Sequence, residues 1–203
     1  MRIPSKGEES RDLPTIETGG IYRKLNLVER DFSRLDLESA TFLDCLMANT
    51  RFLDARCNAS YLERCDLTAA RFAGCNLFGA EFIDCKLLGV DFHDGITLTG
   101  ANFTGCNFDY SNWRGVDIRK MRFERCTFRD ADFSLADLRQ ATFSECDLGG
   151  VELSGARFHQ TDLRGSNLTR WNLKRHDLAG VVISPWQFEP LALELGIQII
   201  DSN

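Results

Sequence analysis

Residues 65–87 read CDLTAARFAGCNLFGAEFIDCKL. A Leu or Phe stands at every fifth position: Leu67, Phe72, Leu77, Phe82 and Leu87. Two residues before each stands a small one: Cys65, Ala70, Cys75, Ala80 and Cys85. Five matches neither the 3.6-residue period of a helix nor the two-residue period of a strand. The same beat runs outward in both directions. Fourteen large sites run from Leu27 to Phe92, and eighteen more from Leu98 to Ile183. Twenty-seven of these 32 are Leu or Phe; the others are Met47, Cys57, Trp113, Ile118 and Ile183. The preceding small site is Ala, Cys, Ser, Thr or Val in 25 of 32 cases. Two patterns held in phase for so long make the repeat the determinant of the fold.

Both apolar sites must face inward and the other three positions outward. A helix cannot do this, because its apolar stripe would drift around the axis. A coil built from short sides with turns between them can. Gly is common two residues after the large site, as at Gly74, Gly79, Gly89 and Gly100, where a turn with one residue at positive φ is expected. Between Phe92 and Leu98 the step is six residues, in FHDGITL. We read residues 93–97, with Gly95 and Ile96, as a bend joining two blocks. Inward sites that break the small-residue rule are Leu25, Arg30 and Leu35 at the start, Ile96 at the bend, Met121, and Trp171 and His176 near the end. Most lie where a coil should open, bend or be capped.

The copies ADFSL at 131–135, ADLRQ at 136–140 and SNLTR at 166–170 resemble the pentapeptide-repeat family. The resemblance implies an all-β fold, a right-handed quadrilateral β-helix with four pentapeptides per coil. Thirty-two repeats then give about eight coils, a rod about 40 Å long at the spacing of adjacent strands. Residues 1–20 read as a polar tail, 21–183 as the β-helix and 184–203 as a capping and dimerisation module.

At 203 residues with a net charge of −6, the chain reads as one domain unsuited to nonspecific nucleic-acid binding. No apolar run is long enough for a membrane span, and the N-terminus lacks the apolar core of a signal peptide, so a cytoplasmic protein is expected. Seven of eight Cys occupy the small inward site and Cys57 a large one. Thiols stacked one coil apart lie close enough to bridge, but in a reducing compartment free core thiols are expected. There is no C-x-x-C, H-E-x-x-H, G-x-S-x-G or P-loop. The repeated Asp residues, Asp66, Asp91, Asp132 and Asp137 among them, read as turn or surface groups. The chain is therefore not read as an enzyme, and no catalytic, metal or cofactor site is expected.

The C-terminal run SPWQFEPLALELGIQII departs from the repeat. Ser184, Pro185 and Gln187 signal a helix start, Pro190 suggests two short turns or a kink, and Gly196 a C-cap followed by a short strand. The run from Asp177, DLAGVVISPWQFEPLALELGIQII, is similar to the end of the Qnr-type quinolone-resistance proteins, whose general plan MfpA-like and AlbG-like proteins share. That resemblance implies a tail-to-tail homodimer through Trp186, Phe188, Leu191, Leu195, Ile197 and Ile199. It further implies binding to DNA gyrase and topoisomerase IV and protection of them from poisons, by DNA mimicry or by drug release, without direct nucleic-acid or membrane binding. A scaffold or regulatory adaptor of the same fold is the alternative. For the partner surface the sequence offers outward Leu43, Leu46, Ile83 and Leu88, with Asp84, Asp91 and Asp94 nearby. Residues 31–97 carry 11 acidic and 6 basic side chains; residues 98–183 carry 11 and 12.

Overall fold

A computed structural model describes residues 14–171 and 178–198. Seven three-residue strands stack in one parallel sheet: β1 (Ile21–Arg23), β2 (Thr41–Leu43), β3 (Tyr61–Glu63), β4 (Glu81–Ile83), β5 (Asn102–Thr104), β6 (Arg122–Glu124) and β7 (Thr142–Ser144). Each pairs with the strand one coil later, Tyr22 with Phe42 and Phe42 with Leu62. Isolated parallel bridges such as Asn26↔Leu46, Asp31↔Arg51 and Asp36↔Arg56 mark the other three sides. The molecule is a four-sided parallel β-helix. Its seven stacked strands define about six turns, against the eight expected. The difference lies at the end, where the ladder continues from Thr142 only as the single bridges Thr142↔Asp162 and Asp162↔Val182.

The five-residue unit explains each corner. Large and small sites fill one continuous core, with Leu37, Ala40, Cys45, Phe92, Trp113 and Phe133 fully buried. On one side, rings stack coil upon coil through Phe32, Phe52, Phe72, Phe92, Trp113 and Phe133, with centroids 4.2–5.7 Å apart. Such contacts add about 0.5–1.5 kcal/mol per pair beyond their burial. From Leu27 to Leu168 the residue two after each large site turns the chain at positive φ, whether it is Gly (Gly74, φ 69°) or not (Asp54, φ 56°). At Gly74 a Cβ would also meet Asp54 Oδ1 at 2.2 Å, so glycine serves both conformation and space. The Asp or Asn before the large site closes the turn by accepting the N–H two residues on, as Asp31 does from Ser33 (3.0 Å) and Asp132 from Ser134 (2.8 Å). This is why the repeat calls for D or N there.

The first coil is covered by residues within the expected tail. Gly19 N–H donates to the Glu38 carbonyl (2.8 Å), Thr18 Oγ1 to Asp36 O, and the Tyr22 hydroxyl accepts the Glu17 N–H (2.8 Å). Residues 17–20 thus pack on the coil instead of extending from it.

The six-residue step is a register change: Asn76 pairs with Thr97 and Phe82 with Phe103, 21 residues on rather than 20. One coil later the ladder opens. Leu77 N–H reaches the Thr97 carbonyl and Ile118 N–H reaches that of Asp137, but no equivalent bond joins Leu98 N–H to Asp117 O. The bonds from Gly100 N–H to Arg119 O and from Asp117 N–H to Ile96 O are missing too, as is the bridge Thr97↔Asp117. Gly105 N–H to Glu124 O (2.9 Å) resumes the ladder.

The coil is followed by α1 (Pro185–Glu194), a continuous ten-residue helix. Pro190 lies inside it, so one helix forms in place of two short turns. Gly196 (φ 80°) ends it, with Ile197 N–H bonded to Ala192 O. Residues 197–198 form no strand; the rest of the expected strand, with Ile199, lies outside the described residues, as does His176.

Candidate partner-binding surfaces

The side-chain hydrogen bonds that hold α1 to the coil come from Gln187. Gln187 is buried, and its Nε2 donates to the carbonyls of Leu163 (2.8 Å) and Ser166 (2.6 Å). Its Oε1 accepts the Ser184 N–H at 2.6 Å. A buried amide with every partner supplied orients the helix uniquely. Ala192 is also buried, and Leu191, half-buried, packs on the core. The opposite face is left bare: Trp186 is 61% exposed, Phe188 57%, Leu193 58%, Leu195 43% and Ile197 48%. Of the six expected pairing residues, four are thus open, Leu191 serves the cap, and Ile199 is not described. Leu193 is an addition that sequence reasoning missed. Five large apolar side chains are thus exposed on this short segment.

The outward apolar residues of the first half differ in exposure. Leu43 is buried, at 8% exposure. In its column the register places Glu63 between Leu43 and Ile83. Leu46 is exposed but pairs with Asn26 and Asp66, both polar. Ile83 and Leu88 are each half-buried. Leu43 and Ile83 are separated because facing positions two coils apart have a third residue between them, here the charged Glu63.

The carboxylates differ in freedom. Asp91 is held in place by the His93 N–H and Asn112 Nδ2, both at 3.0 Å. Asp94 pairs with His93 Nδ1 (3.0 Å), and Asp84 is exposed at a positive-φ corner. Most cations of this half are taken by acids one coil below: Arg51–Asp31 (2.8 Å), Arg64–Asp44 (2.7 Å), Lys86–Asp66 (3.4 Å). The Arg64 hydrogen bond holds the Asp44 carboxyl below its usual range. In the second half, arginines bond carboxylates of their own side: Arg119–Asp117, Arg139–Asp137 and Arg164–Asp162, each 2.6 Å. Those bonds lower the pKa of all three Asp.

Among the described residues no cluster of His, Cys, Asp or Glu is placed to hold a metal, and no helix is long and apolar enough to cross a membrane. All eight Cys are free and buried. Cys65 Sγ donates to Phe42 O and Cys85 Sγ to Leu62 O, each 3.4 Å, so the thiols act as small core groups that satisfy carbonyls of the coil below. Contact with Cys57 and burial push the Cys75 thiol well above its ordinary range.

Residues 75–153 match the family model described as a pentapeptide repeat region, and residues 15–92 match one described as the SV2A/B/C luminal domain. No curated protein sequence matches the chain significantly. Among solved structures, a trypsin-treated variant of QnrB1, a plasmid-mediated fluoroquinolone resistance protein, is 28% identical, with a TM-score of 0.69 over 92% of this chain and 94% of that one. Full-length QnrB1 gives 23% identity and a TM-score of 0.66 over 88% and 100%. HetL, a pentapeptide-repeat protein involved in heterocyst differentiation regulation from the cyanobacterium Nostoc, gives 20% and 0.50 over 77% and 69%.

Proposed function

We propose that this pentapeptide-repeat protein, a β-helix similar in structure to QnrB1, binds DNA gyrase or topoisomerase IV and protects it from poisons of the fluoroquinolone kind. The observation that carries the reading is the match to QnrB1 along almost the whole length of both chains.

The protein works by surface, not by chemistry. Gln187 docks α1 on the coil and turns Trp186, Phe188, Leu195 and Ile197 outward, where they pair two copies tail to tail. A dimer places both β-helices on one line, long enough to lie along an extended groove of the enzyme. Leu46, Asp84 and Asp94 remain accessible for that contact, whereas Asp91 is committed to the turn at His93 and Leu43 is covered.

Binding is tested by surface plasmon resonance with immobilised gyrase. A saturable, micromolar or tighter signal is expected. No binding to gyrase or topoisomerase IV at that concentration would refute the proposal and favour an adaptor unrelated to these enzymes.

A further inference from the structure

The opening in the ladder between residues 96–102 and 117–122 leads into a cleft of about 730 Å³. Two features of the sequence mark it. The extra residue in the 92–98 step displaces one lip. Met121, 6% exposed, stands at the corner beside it where other coils carry Ala80, Ala101 and Ala141.

The lips carry polar groups that the regular coil would consume. Leu98, Gly100 and Asp117 have N–H groups without backbone partners across the gap. An unpaired backbone donor in a partly enclosed site calls for an acceptor from outside. The walls also carry Arg119, Lys120, Arg122, Arg139 and His159, against Asp117 as the one acid. Four cations less Asp117 and the Asp137 carboxylate that holds Arg139 leave +2, in a chain whose net charge is −6. Asp117 is occupied by Arg119, and Arg139 by Asp137. Lys120 and Arg122 form no ion pair among the described residues. Their charges have no structural employment.

We infer that this inter-coil cleft binds a small phosphate-bearing molecule of nucleotide size. Lys120 and Arg122 meet its phosphates, and the Leu98 and Gly100 N–H groups donate to their oxygens. The volume lies within the range of small-molecule sites. Combined backbone donors and side-chain cations form the arrangement that phosphate oxygens select. The facing carbonyls of Asp117 and Arg119 are open to hydroxyl or amino groups, which suits an organic phosphate better than a bare ion. The site is a pocket for a compact anion and gives no track for a nucleic-acid backbone.

This inference does not involve a topoisomerase, so its test is separate from that of the proposed function. The full-length protein is titrated calorimetrically with ADP, pyrophosphate, citrate and adenosine. ADP and pyrophosphate should bind with Kd below about 1 mM, and citrate and adenosine at least tenfold more weakly. The double variant Lys120→Gln/Arg122→Gln, altered at exposed positions, should lose at least tenfold in affinity for ADP. In amide NMR spectra of the unaltered protein, pyrophosphate should shift the Leu98 and Gly100 signals before all others. Absence of phosphate binding, equal binding of citrate, full affinity in the double variant, or shifts confined to other residues would each overturn the assignment.

Discussion

Replacing Gln187 with Leu tests how the C-terminal module is held. The substitution removes three hydrogen bonds, to Leu163 O, Ser166 O and from Ser184 N–H. The Leu163 carbonyl keeps the Ser166 N–H at 3.1 Å, so the newly orphaned groups are Ser166 O and the Ser184 N–H. Each lost bond is worth about 0.5–1.5 kcal/mol net, and leaving partners unpaired moves the sum to the upper half, about 3 kcal/mol. Leu restores apolar volume but none of the polarity, so burial offsets little of this. A change of about 3 kcal/mol is roughly a hundredfold in an equilibrium constant. The helix should therefore detach from the coil about a hundred times more often. Native-state hydrogen exchange reads this directly: the Leu195 amide, bonded to Leu191 O, should exchange about a hundredfold faster, while amides of β2 to β4 keep their rates. An acceleration below about threefold at Leu195, or an equal acceleration in β2 to β4, would refute the view that Gln187 is the fastening of an otherwise separate module.

Three further outcomes are expected. Leu195→Asp/Ile197→Asp alters two exposed residues, so the protein should remain folded and sediment as a monomer; a persistent dimer, or a monomeric wild type, would contradict the pairing. None of the eight buried thiols should react with a thiol reagent in native protein, and all should react in denaturant. Acid should destabilise the β-helix: Arg139, Arg119 and Arg164 depress the folded pKa of Asp137, Asp117 and Asp162. Their stabilisation is complete above the unfolded value near 4 and is lost as pH falls through the lower folded values. The melting temperature should thus be flat from pH 7 to 5 and fall below about pH 4; a constant value down to pH 3 would show that these pairs do not act.

The path of the chain is legible because the five-residue beat is a direct imprint of the coil. Leu67, Phe72 and Cys75 face inward for the same reason in every repeat, and local spacing suffices to place them. What escaped depends on groups far apart in sequence. Gln187 reads locally as a helix-start residue, yet its amide ends against carbonyls more than twenty residues earlier. Leu43 stands at an outward position and is covered nonetheless, and its separation from Ile83 follows from the charge on Glu63 one coil between them. The six-residue step at 92–98 was visible, and so was Met121 as an oversized inward residue. That the two meet at the open ladder emerges only once the coils are stacked. The ten-residue helix through Pro190 was the reverse case: a local rule argued for two short turns or a kink, and the helix is continuous with Gln187 and Ala192 buried.

The central claim is protection of a type II topoisomerase. Gyrase supercoiling of relaxed plasmid, titrated with a fluoroquinolone in the presence and absence of this protein, measures it most directly. The account predicts that micromolar protein restores supercoiling at drug concentrations that otherwise abolish it, and that Leu195→Asp/Ile197→Asp restores less. Identical drug inhibition with and without the folded protein, for gyrase and for topoisomerase IV relaxation alike, would contradict it.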